Sequence, residues 1–346
     1  MQEIYKYGDL STKIRVMKGR MLKVEDYKAM LLKRSVKEVA LYLKNNTYYK
    51  KDLIELDENH VHRTRLEVLL YRSVVRDALK IAKHLNGNEK KIYRYIYRKL
   101  EVEDIKQMIR TLQMGRALST LDRATLFVSR YSNIDFNQSL EATSITELVK
   151  TLSNSNFYRI LHPLIDKDGN IDNFTAEMVL DDYYYQKSIK QIRKMALGKD
   201  KELLEEMFGL EIDFKNIFWI LRAKKYYKLS REMIHRYIIP YHYKLRKELI
   251  DKMIDATDLD RLYKLIDSTY YAKVIDFRQD QLEYQFLNHM HKIQQRQMRN
   301  EAYSIAPIIG YMYLKELEVQ NITNIVEGIR YGLDNASIQS YLAGAK

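Results

Sequence analysis

The chain has 346 residues, of which 46% are hydrophobic and 30% are charged, so it can bury a substantial core and is not a disordered polypeptide. It contains no cysteine, which excludes disulfide bonds, a thiolate nucleophile and a cysteine-ligated zinc site. The formal net charge is +13, with acidic residues interleaved among the basic ones. A solvated helical surface and a face that attracts an anionic partner both fit this charge.

Residues that interrupt helices are scarce, with 3 Pro and 11 Gly, while Leu, Ile, Lys and Glu are abundant. This composition predicts an all-α protein. The first residues, MQEIYKYGDLSTK, are polar, so we expect no secretory signal. The longest apolar run is Ile305–Leu314, which is too short to cross a bilayer core that requires about 20 residues. We therefore expect a soluble chain, and the cytoplasm is compatible with the lack of cysteine.

The first recurring element is a capped helix that ends in an aromatic pair. It occurs at Ser35–Lys50, Ser144–Arg159 and Thr257–Ala272. Each copy starts with Ser or Thr and has an acidic residue three positions later, which predicts a helix N-cap. The aromatic pairs are Tyr48-Tyr49, Phe157-Tyr158 and Tyr270-Tyr271.

The second recurring element is a long amphipathic helix. Its copies follow Arg63, Asn173 and Gln279, and Glu67, Glu177 and Glu283 occupy equivalent places, 110 and 106 residues apart. The third recurring element lies at Arg98–Gly115, Gly209–Tyr226 and Lys315–Gly332. The shared order of these elements indicates an internal repeat.

In the third element an acidic residue precedes a polar residue and then an apolar stripe with i, i+3, i+4 spacing, which predicts an α-helix. The acidic residues are Glu101, Glu211 and Glu318, with two extra residues after Glu211. The polar residues, predicted to be N-caps, are Asp104, Asn216 and Asn321. Gly115 and Gly332 suit a helix exit with positive φ, whereas the middle copy has Tyr226-Tyr227 there.

The repeat of about 110 residues predicts three helical units, 1–118, 119–232 and 233–346. No linker rich in Pro, Gly or Ser separates them, so we expect them to pack as one rigid body with a pseudo-threefold, funnel-like arrangement. Residues that recur threefold are expected to serve helix packing or an interface between subunits rather than a single active site.

No catalytic constellation is visible. The phosphate-binding patterns G-x-x-x-x-G-K-[ST] and G-x-G-x-x-G are absent, so we expect no nucleotide cradle, no cofactor and no catalytic residue. The pairs His60/His62 and His289/His291 are spaced i, i+2, which points the two rings of a helical pair apart and argues against a metal site. Tyrosine is abundant, at 29 residues, and its helical spacing favours packing over base stacking.

Two segments resemble the C/d family of rotary-ATPase subunits, found in V-type and A-type complexes. EIDFKNIFWILRAK, Glu211–Lys224, is similar to the family's middle-unit signature, including the Leu-Arg-Ala-Lys that contains Arg222. IAPIIGYMYLKELEVQNITNIVEGIRYGL, Ile305–Leu333, is similar to its C-terminal signature. The resemblance spans essentially the whole chain, with a departure at Tyr227, where the family often has Gly.

The resemblance implies a non-catalytic central-stalk subunit seated on the cytoplasmic face of the membrane rotor ring. Such a subunit receives the central shaft and links its rotation to proton or sodium transport or to ATP synthesis. The implied partners are the shaft subunits and the rotor ring, without a nucleic acid or a small-molecule substrate. Glu101, Asp104, Glu211, Asn216, Arg222, Glu318 and Asn321 are the candidate structural or interface residues. The alternative is a helical-repeat scaffold that binds nucleic acid or another acidic partner, which the net charge of +13 suggests.

Overall fold

The computed structural model describes residues 2–57, 61–118, 121, 134–279 and 281–345, and the side chains from residue 7 onward. Within these ranges the chain forms helices and no strand, which confirms the predicted all-α class. The helices of the first half are α1 (Gln2–Gly19), α2 (Val24–Leu31), α3 (Val36–Asn46), α4 (Arg63–Ala82), α5 (Gly87–Gln113), α6 (Phe136–Ser139), α7 (Ile145–Thr151) and α8 (Asn156–Leu161). Those of the second half are α9 (Asn173–Met195), α10 (Gly198–Arg222), α11 (Arg231–Tyr237), α12 (Lys247–Asp255), α13 (Leu259–Asp267), α14 (Leu282–Asn300), α15 (Ala306–Arg330) and α16 (Asn335–Ser340).

The predicted caps of the first recurring element are confirmed at two positions. Ser35 and Ser144 accept hydrogen bonds from the backbone N–H groups of Glu38 and Glu147. The third cap, predicted at Thr257, is wrong by one residue, because Asp258 accepts from the N–H of Arg261. A carboxylate next to the threonine takes over the cap, since it accepts more strongly than a hydroxyl.

The third recurring element is helical in all three copies, but its helices begin well before the predicted N-caps. Asp104, Asn216 and Asn321 lie inside α5, α10 and α15, so the N-cap prediction is wrong for all three. Their backbone N–H groups are in the helix interior and need no cap. The apolar stripe that follows is confirmed as a buried face, with Ile105 and Ile322 both 0% exposed.

The exits of the three long helices differ as the sequence predicts. Gly115 and Gly332 have φ of +67° and +68°. In both cases the next N–H bonds back five residues, Arg116 to Thr111 and Leu333 to Gly328, which closes a Schellman motif. The middle copy instead makes a π-helical turn, Ala223–Tyr227, and Lys228 takes the left-handed conformation with φ of +47°. The wider turn inserts one residue before the exit.

The described chain divides into two compact units. Unit 1 comprises Met1–His84, Gly198–Met207 and Ile266–Lys346. In unit 1, α15 contacts α1, α2, α3, α4, α14 and α16, so a helix near the C-terminus packs among N-terminal helices. Ile322, Ile325 and Val326 of α15 share one apolar core with residues of α2, α3 and α4 such as Met30, Leu43 and Leu66.

Unit 2 comprises Leu85–Leu197 and Phe208–Leu265. Its main packing is between α5 and α9, with α7 against α5 and α8 against α9. Trp219 is 8% exposed and belongs to the buried core residues of this unit. The division into three units at residues 118/119 and 232/233 stays a prediction.

Candidate functional site

The candidate residues fall into two groups. Glu318 and Asn321 belong to unit 1 on α15, and the other five belong to unit 2 on α5 and α10. Glu101, Asp104, Asn216, Glu318 and Asn321 are buried, whereas Glu211 and Arg222 are half-buried. A repeated site of this kind is built from buried polar groups, which are stable only when they are hydrogen-bonded.

Asn216 and Asn321 each hold one main-chain residue by two hydrogen bonds. In unit 1, Asn321 Nδ2 donates to the carbonyl of Ala343 over 2.8 Å, and the N–H of Ala343 donates to Asn321 Oδ1 over 3.0 Å. In unit 2, Asn216 makes the same pair with Ile239, at 3.0 and 2.9 Å. We call this arrangement the amide clamp. It fixes the segment that follows each long helix against that helix.

The two amide clamps differ by one residue in the spacing between the asparagine and the residue that it holds. Ala343 lies 22 residues after Asn321, whereas Ile239 lies 23 residues after Asn216. The extra residue is the one inserted by the π-helical turn Ala223–Tyr227. Asp104 occupies the corresponding place on α5 and is 6% exposed. The segment that corresponds to Ala343 in that copy lies outside the described residues.

The acidic residue three positions before the clamp amide binds a second stretch of main chain. Glu318 Oε2 accepts from the N–H of Leu22 over 2.6 Å. In unit 2 this role belongs to Asp213, which accepts from the N–H groups of Tyr243, Lys244 and Leu245 at 3.2, 2.7 and 2.8 Å. The sequence pattern placed Glu211 here, but α10 is continuous and contains no two-residue insertion. The three-residue spacing to Asn216 is the signal that identifies Asp213.

The remaining candidates make local contacts. Glu211 accepts a hydrogen bond from the Tyr185 hydroxyl over 2.6 Å. The Oε2 of Glu101 lies 4.0 Å from the Nε of Arg98. Arg222, in the last turn of α10, stacks over the Phe218 ring with its guanidinium carbon 5.2 Å from the ring centroid. These contacts stabilise helix packing within unit 2.

A buried ionic cluster surrounds Glu318 in unit 1. Lys315, which is 0% exposed, donates to the hydroxyls of Tyr48 and Tyr49 over 2.5 and 2.7 Å. Both hydroxyls in turn donate to Glu318 Oε1, Tyr49 over 2.8 Å. The ammonium also lies over both tyrosine rings, 4.6 and 4.0 Å from their centroids. The aromatic pair of the first recurring element, Tyr48-Tyr49, thus forms hydrogen bonds with both charged residues of the third, Lys315 and Glu318.

Burial shifts the titration of this cluster. Desolvation lowers the pKa of Lys315 to about 8, although the Glu318 carboxylate opposes this shift. Desolvation and the charge of Glu318 raise the pKa of Tyr48 and of Tyr49 far above the usual range. Tyr311, which donates to Asp77 Oδ2 over 2.7 Å, has a raised pKa for the same reasons, with Asp77 as the nearby charge. The hydroxyls therefore stay protonated donors around neutral pH.

Unit 2 contains a buried ionic triad between α5, α9 and α10. Lys106 donates to Asp181 Oδ1 over 2.5 Å, and Lys215 donates to Asp181 Oδ2 over 3.4 Å. Burial alone would raise the pKa of Asp181, but the two lysines hold the pKa below its usual range. Burial disfavours the Lys106 ammonium, yet Asp181 and Glu103 raise its pKa overall. The triad links α5, α9 and α10 by ion pairs, and both carboxylate oxygens of Asp181 accept a hydrogen bond.

Both histidines of the pair His289/His291 make hydrogen bonds within the fold. His289 Nε2 lies 3.2 Å from the Tyr270 hydroxyl, and His291 Nε2 lies 3.0 Å from Gln295 Nε2. His60 lies outside the described residues. Over residues 2–57, 61–118, 121, 134–279 and 281–345, no group of three His, Asp or Glu side chains is arranged to hold a metal ion. Across the same ranges, none of the helices has the length and apolarity needed to cross a membrane.

Comparisons with known proteins extend these observations. The sequence model of the family described as "ATP synthase (C/AC39) subunit" matches residues 10–341. The chain is 22% identical to the C subunit of the A-type ATP synthase of Methanosphaera stadtmanae, covering 95% of this chain and 86% of that protein. It is 26% identical to the same component from Archaeoglobus fulgidus, covering 94% and 92%, and 24% identical to the one from Pyrococcus furiosus, covering 93% and 87%. The chain therefore belongs to the C/AC39 family of ATP synthase subunits.

Proposed function

We propose that this chain is the non-catalytic central-stalk subunit of a rotary ATPase. It couples rotation of the central shaft to the membrane rotor ring, in ATP-driven proton or sodium transport or in ATP synthesis. The observation that carries the proposal is the family match over residues 10–341. The relatives from Methanosphaera stadtmanae and Archaeoglobus fulgidus, each named as the C subunit of an A-type ATP synthase, support it.

The internal structure of each unit suits a part that transmits torque. The amide clamps at Asn216 and Asn321 and the buried ionic groups tie loops to long helices by several bonds each. Groups held in this way resist local deformation, because each movement would leave buried polar atoms without partners. A protein that transmits torque needs this stiffness and needs no nucleophile.

The proposed architecture is a pseudo-threefold funnel of three units, 1–118, 119–232 and 233–346, which pack as one rigid body. The support for it is the sequence repeat, together with the equivalence of the clamps in the second and third copies. The proposed partners are the shaft subunits and the cytoplasmic face of the rotor ring. The chain then lies at the inner surface of the membrane as a peripheral component, without a cofactor, a small-molecule substrate or a nucleic acid.

The test is reconstitution. We expect the purified chain to bind a purified shaft complex and detergent-solubilised rotor rings, and to hydrolyse no ATP. In proteoliposomes, an ATPase assembled without this chain should hydrolyse ATP without pumping ions, and adding the chain should restore pumping. Hydrolysis by the chain alone, or pumping at the same rate in its absence, would refute the proposal. Salt-sensitive binding to DNA or RNA without binding to shaft or ring would favour the scaffold alternative.

A further inference from the structure

Unit 1 contains a cleft beside the buried cluster of Tyr48 and Lys315, and nothing described above assigns a ligand to it. Its volume is about 660 Å³, within the size range of about 300–1,000 Å³ that is usual for small-molecule sites. It is lined by residues of the turn Tyr48–Lys51, of α4 and of the end of α1, together with Tyr311 of α15. All of these segments belong to unit 1.

Cationic side chains dominate the lining of this cleft. Five of them come from three separate segments: Arg20, Lys50, Lys51, Arg76 and Lys80. Two acidic residues, Asp52 and Asp77, leave a net formal charge of +3. Arg76 pairs with both of these carboxylates, whereas the other four cations make no ion pair with any described residue. Like charges gathered in this way repel one another, and a bound anion would relieve the repulsion.

The side chain of Asp52 indicates a second property of a ligand that would fit this cleft, a hydrogen-bond donor. Its side chain is 6% exposed, and Arg76 binds only the Oδ1 atom. The Oδ2 atom is buried and accepts no hydrogen bond from a described residue. A buried acceptor without a donor is costly, so a ligand hydroxyl that donates to Oδ2 would be stabilising. The cleft thus offers cations for an anion and one acceptor for a hydroxyl.

We propose that this cleft binds a phosphate ester that carries two or more negative charges and a free hydroxyl group. Phosphate oxygens accept from arginine in a forked geometry and from lysine as a point charge, and both residue types are present. The same chemistry occurs in soluble sugar phosphates and in phosphorylated inositol headgroups of lipids. The inference does not depend on the coupling function, because all the lining residues belong to this chain.

The test uses the full-length chain and two matched soluble probes, fructose 1,6-bisphosphate and 1,6-hexanediol bisphosphate. Both carry two phosphates, and only the sugar carries hydroxyls. By isothermal titration calorimetry we expect both to bind and the sugar to bind more tightly. In the Lys50→Glu/Lys80→Glu variant the net formal charge of the cleft falls from +3 to −1. Affinity for both probes should then fall about tenfold or more, because attraction becomes repulsion.

Two further variants make the test specific. Lys37→Glu/Lys273→Glu changes the charge of the chain equally at exposed lysines of unit 1 outside the cleft, and should keep the affinity of the wild type. Asp52→Ala should abolish the preference for the sugar without reducing binding of the diol bisphosphate. Vesicles of phosphatidylcholine with and without phosphatidylinositol 4-phosphate identify the source. Binding to the phosphoinositide vesicles alone, lost in the cleft variant, supports a lipid headgroup. No binding of any probe, or equal loss in both double variants, would overturn the proposal.

Discussion

The side chains of Asn321 and Asn216 form hydrogen bonds with main-chain groups in segments that are not helical. The carbonyl and N–H of Ala343 and of Ile239 are paired with the same amide side chain in each case. Only an amide side chain can accept and donate at once in this way, so neither aspartate nor leucine could replace the asparagine. Asn216 and Asn321 are 0% and 2% exposed, so water cannot substitute for either pairing.

Replacing the clamp amide tests this role. Asn321→Ala should lower the free energy of unfolding of unit 1 by about 2–3 kcal/mol, because two main-chain groups of Ala343 lose their partner. Urea denaturation followed by circular dichroism measures the loss. The control is Asn324→Ala, which removes one exposed hydrogen bond to Tyr341 and should cost less than about 1 kcal/mol. Equal losses for the two variants would contradict the clamp.

The buried Lys315 predicts a specific pH dependence. Its pKa in the folded protein, about 8, is lower than its unfolded value of about 10.4, so the unfolded state binds the proton more tightly. Stability should therefore rise as the pH increases from 8 to about 9, by about 1 kcal/mol. As the pH approaches 10 the buried tyrosines reverse the trend, because only the unfolded chain releases their protons there.

The measurement compares the wild type with Lys315→Met in urea denaturation between pH 7 and 10. In the variant the rise above pH 8 should be absent, while Glu318 keeps its bonds from Leu22, Tyr48 and Tyr49. Lys292→Met, at an exposed position, provides the matched loss of one positive charge. If the rise persisted in Lys315→Met, another group would be responsible for it.

At the scale of the helices, α5, α10 and α15 each contain one copy of the third recurring element but differ in how they end. The two glycine exits carry positive φ without strain, whereas Lys228 must adopt a left-handed conformation that disfavours a side chain. The π-helical turn Ala223–Tyr227 places Lys228 at this point. The middle helix therefore stores strain that the other two avoid.

This strain can be removed by substitution. Lys228→Gly should stabilise unit 2 by about 0.5–1 kcal/mol, because glycine adopts positive φ freely. Gly332→Ala should destabilise unit 1 by about 1 kcal/mol, and since no atom lies within 4 Å of the added Cβ, the cost is conformational. Thermal unfolding measures both, with fluorescence of Trp219 reporting on unit 2. A destabilising Lys228→Gly would show that the lysine side chain contributes more than its strain.

Local patterns predicted the all-α class, the caps at Ser35 and Ser144 and the exits at Gly115 and Gly332, because each depends on neighbouring residues. They failed at Asn321, since a polar residue before an apolar stripe looks the same at a helix start and in a buried helix interior. What distinguishes the two is a partner 22 residues away, at Ala343. The same limit hid Asp213, whose three N–H partners lie about 30 residues later in the chain.

At the scale of the whole chain, unit 1 combines residues from both ends of the sequence. The last residues contribute to its core, where Ile338 and Leu342 are 1% and 0% exposed beside residues of α2 and α3. The C-terminal segment after Gly332 also supplies Ala343 to the amide clamp of Asn321. A short tail therefore supports a core made largely of other segments.

Removing this tail should destabilise distant residues. Truncation after Gly332 should lower the stability of unit 1 by at least about 4 kcal/mol, because two large apolar side chains and the clamp are lost. Hydrogen exchange should show weaker protection in α2 and α3, far away in sequence, with unchanged protection in α9 of unit 2. Tyr341→Ser, at an exposed position in the tail, is the control and should leave protection unchanged. Full protection in the truncated chain would contradict the role of the tail.

The placement of α15 among α1 to α4 has a consequence for biosynthesis. A ribosome makes the N-terminal helices first, and domains generally fold as units during synthesis. Here α2, α3 and α4 cannot bury their apolar faces until α15 has been translated, after most of the chain has left the ribosome. Most of unit 2 is synthesised after α4 and before α15, so it can fold while α2, α3 and α4 still lack their packing partner. The N-terminal segment of the nascent chain therefore exposes apolar surface until α15 has been synthesised.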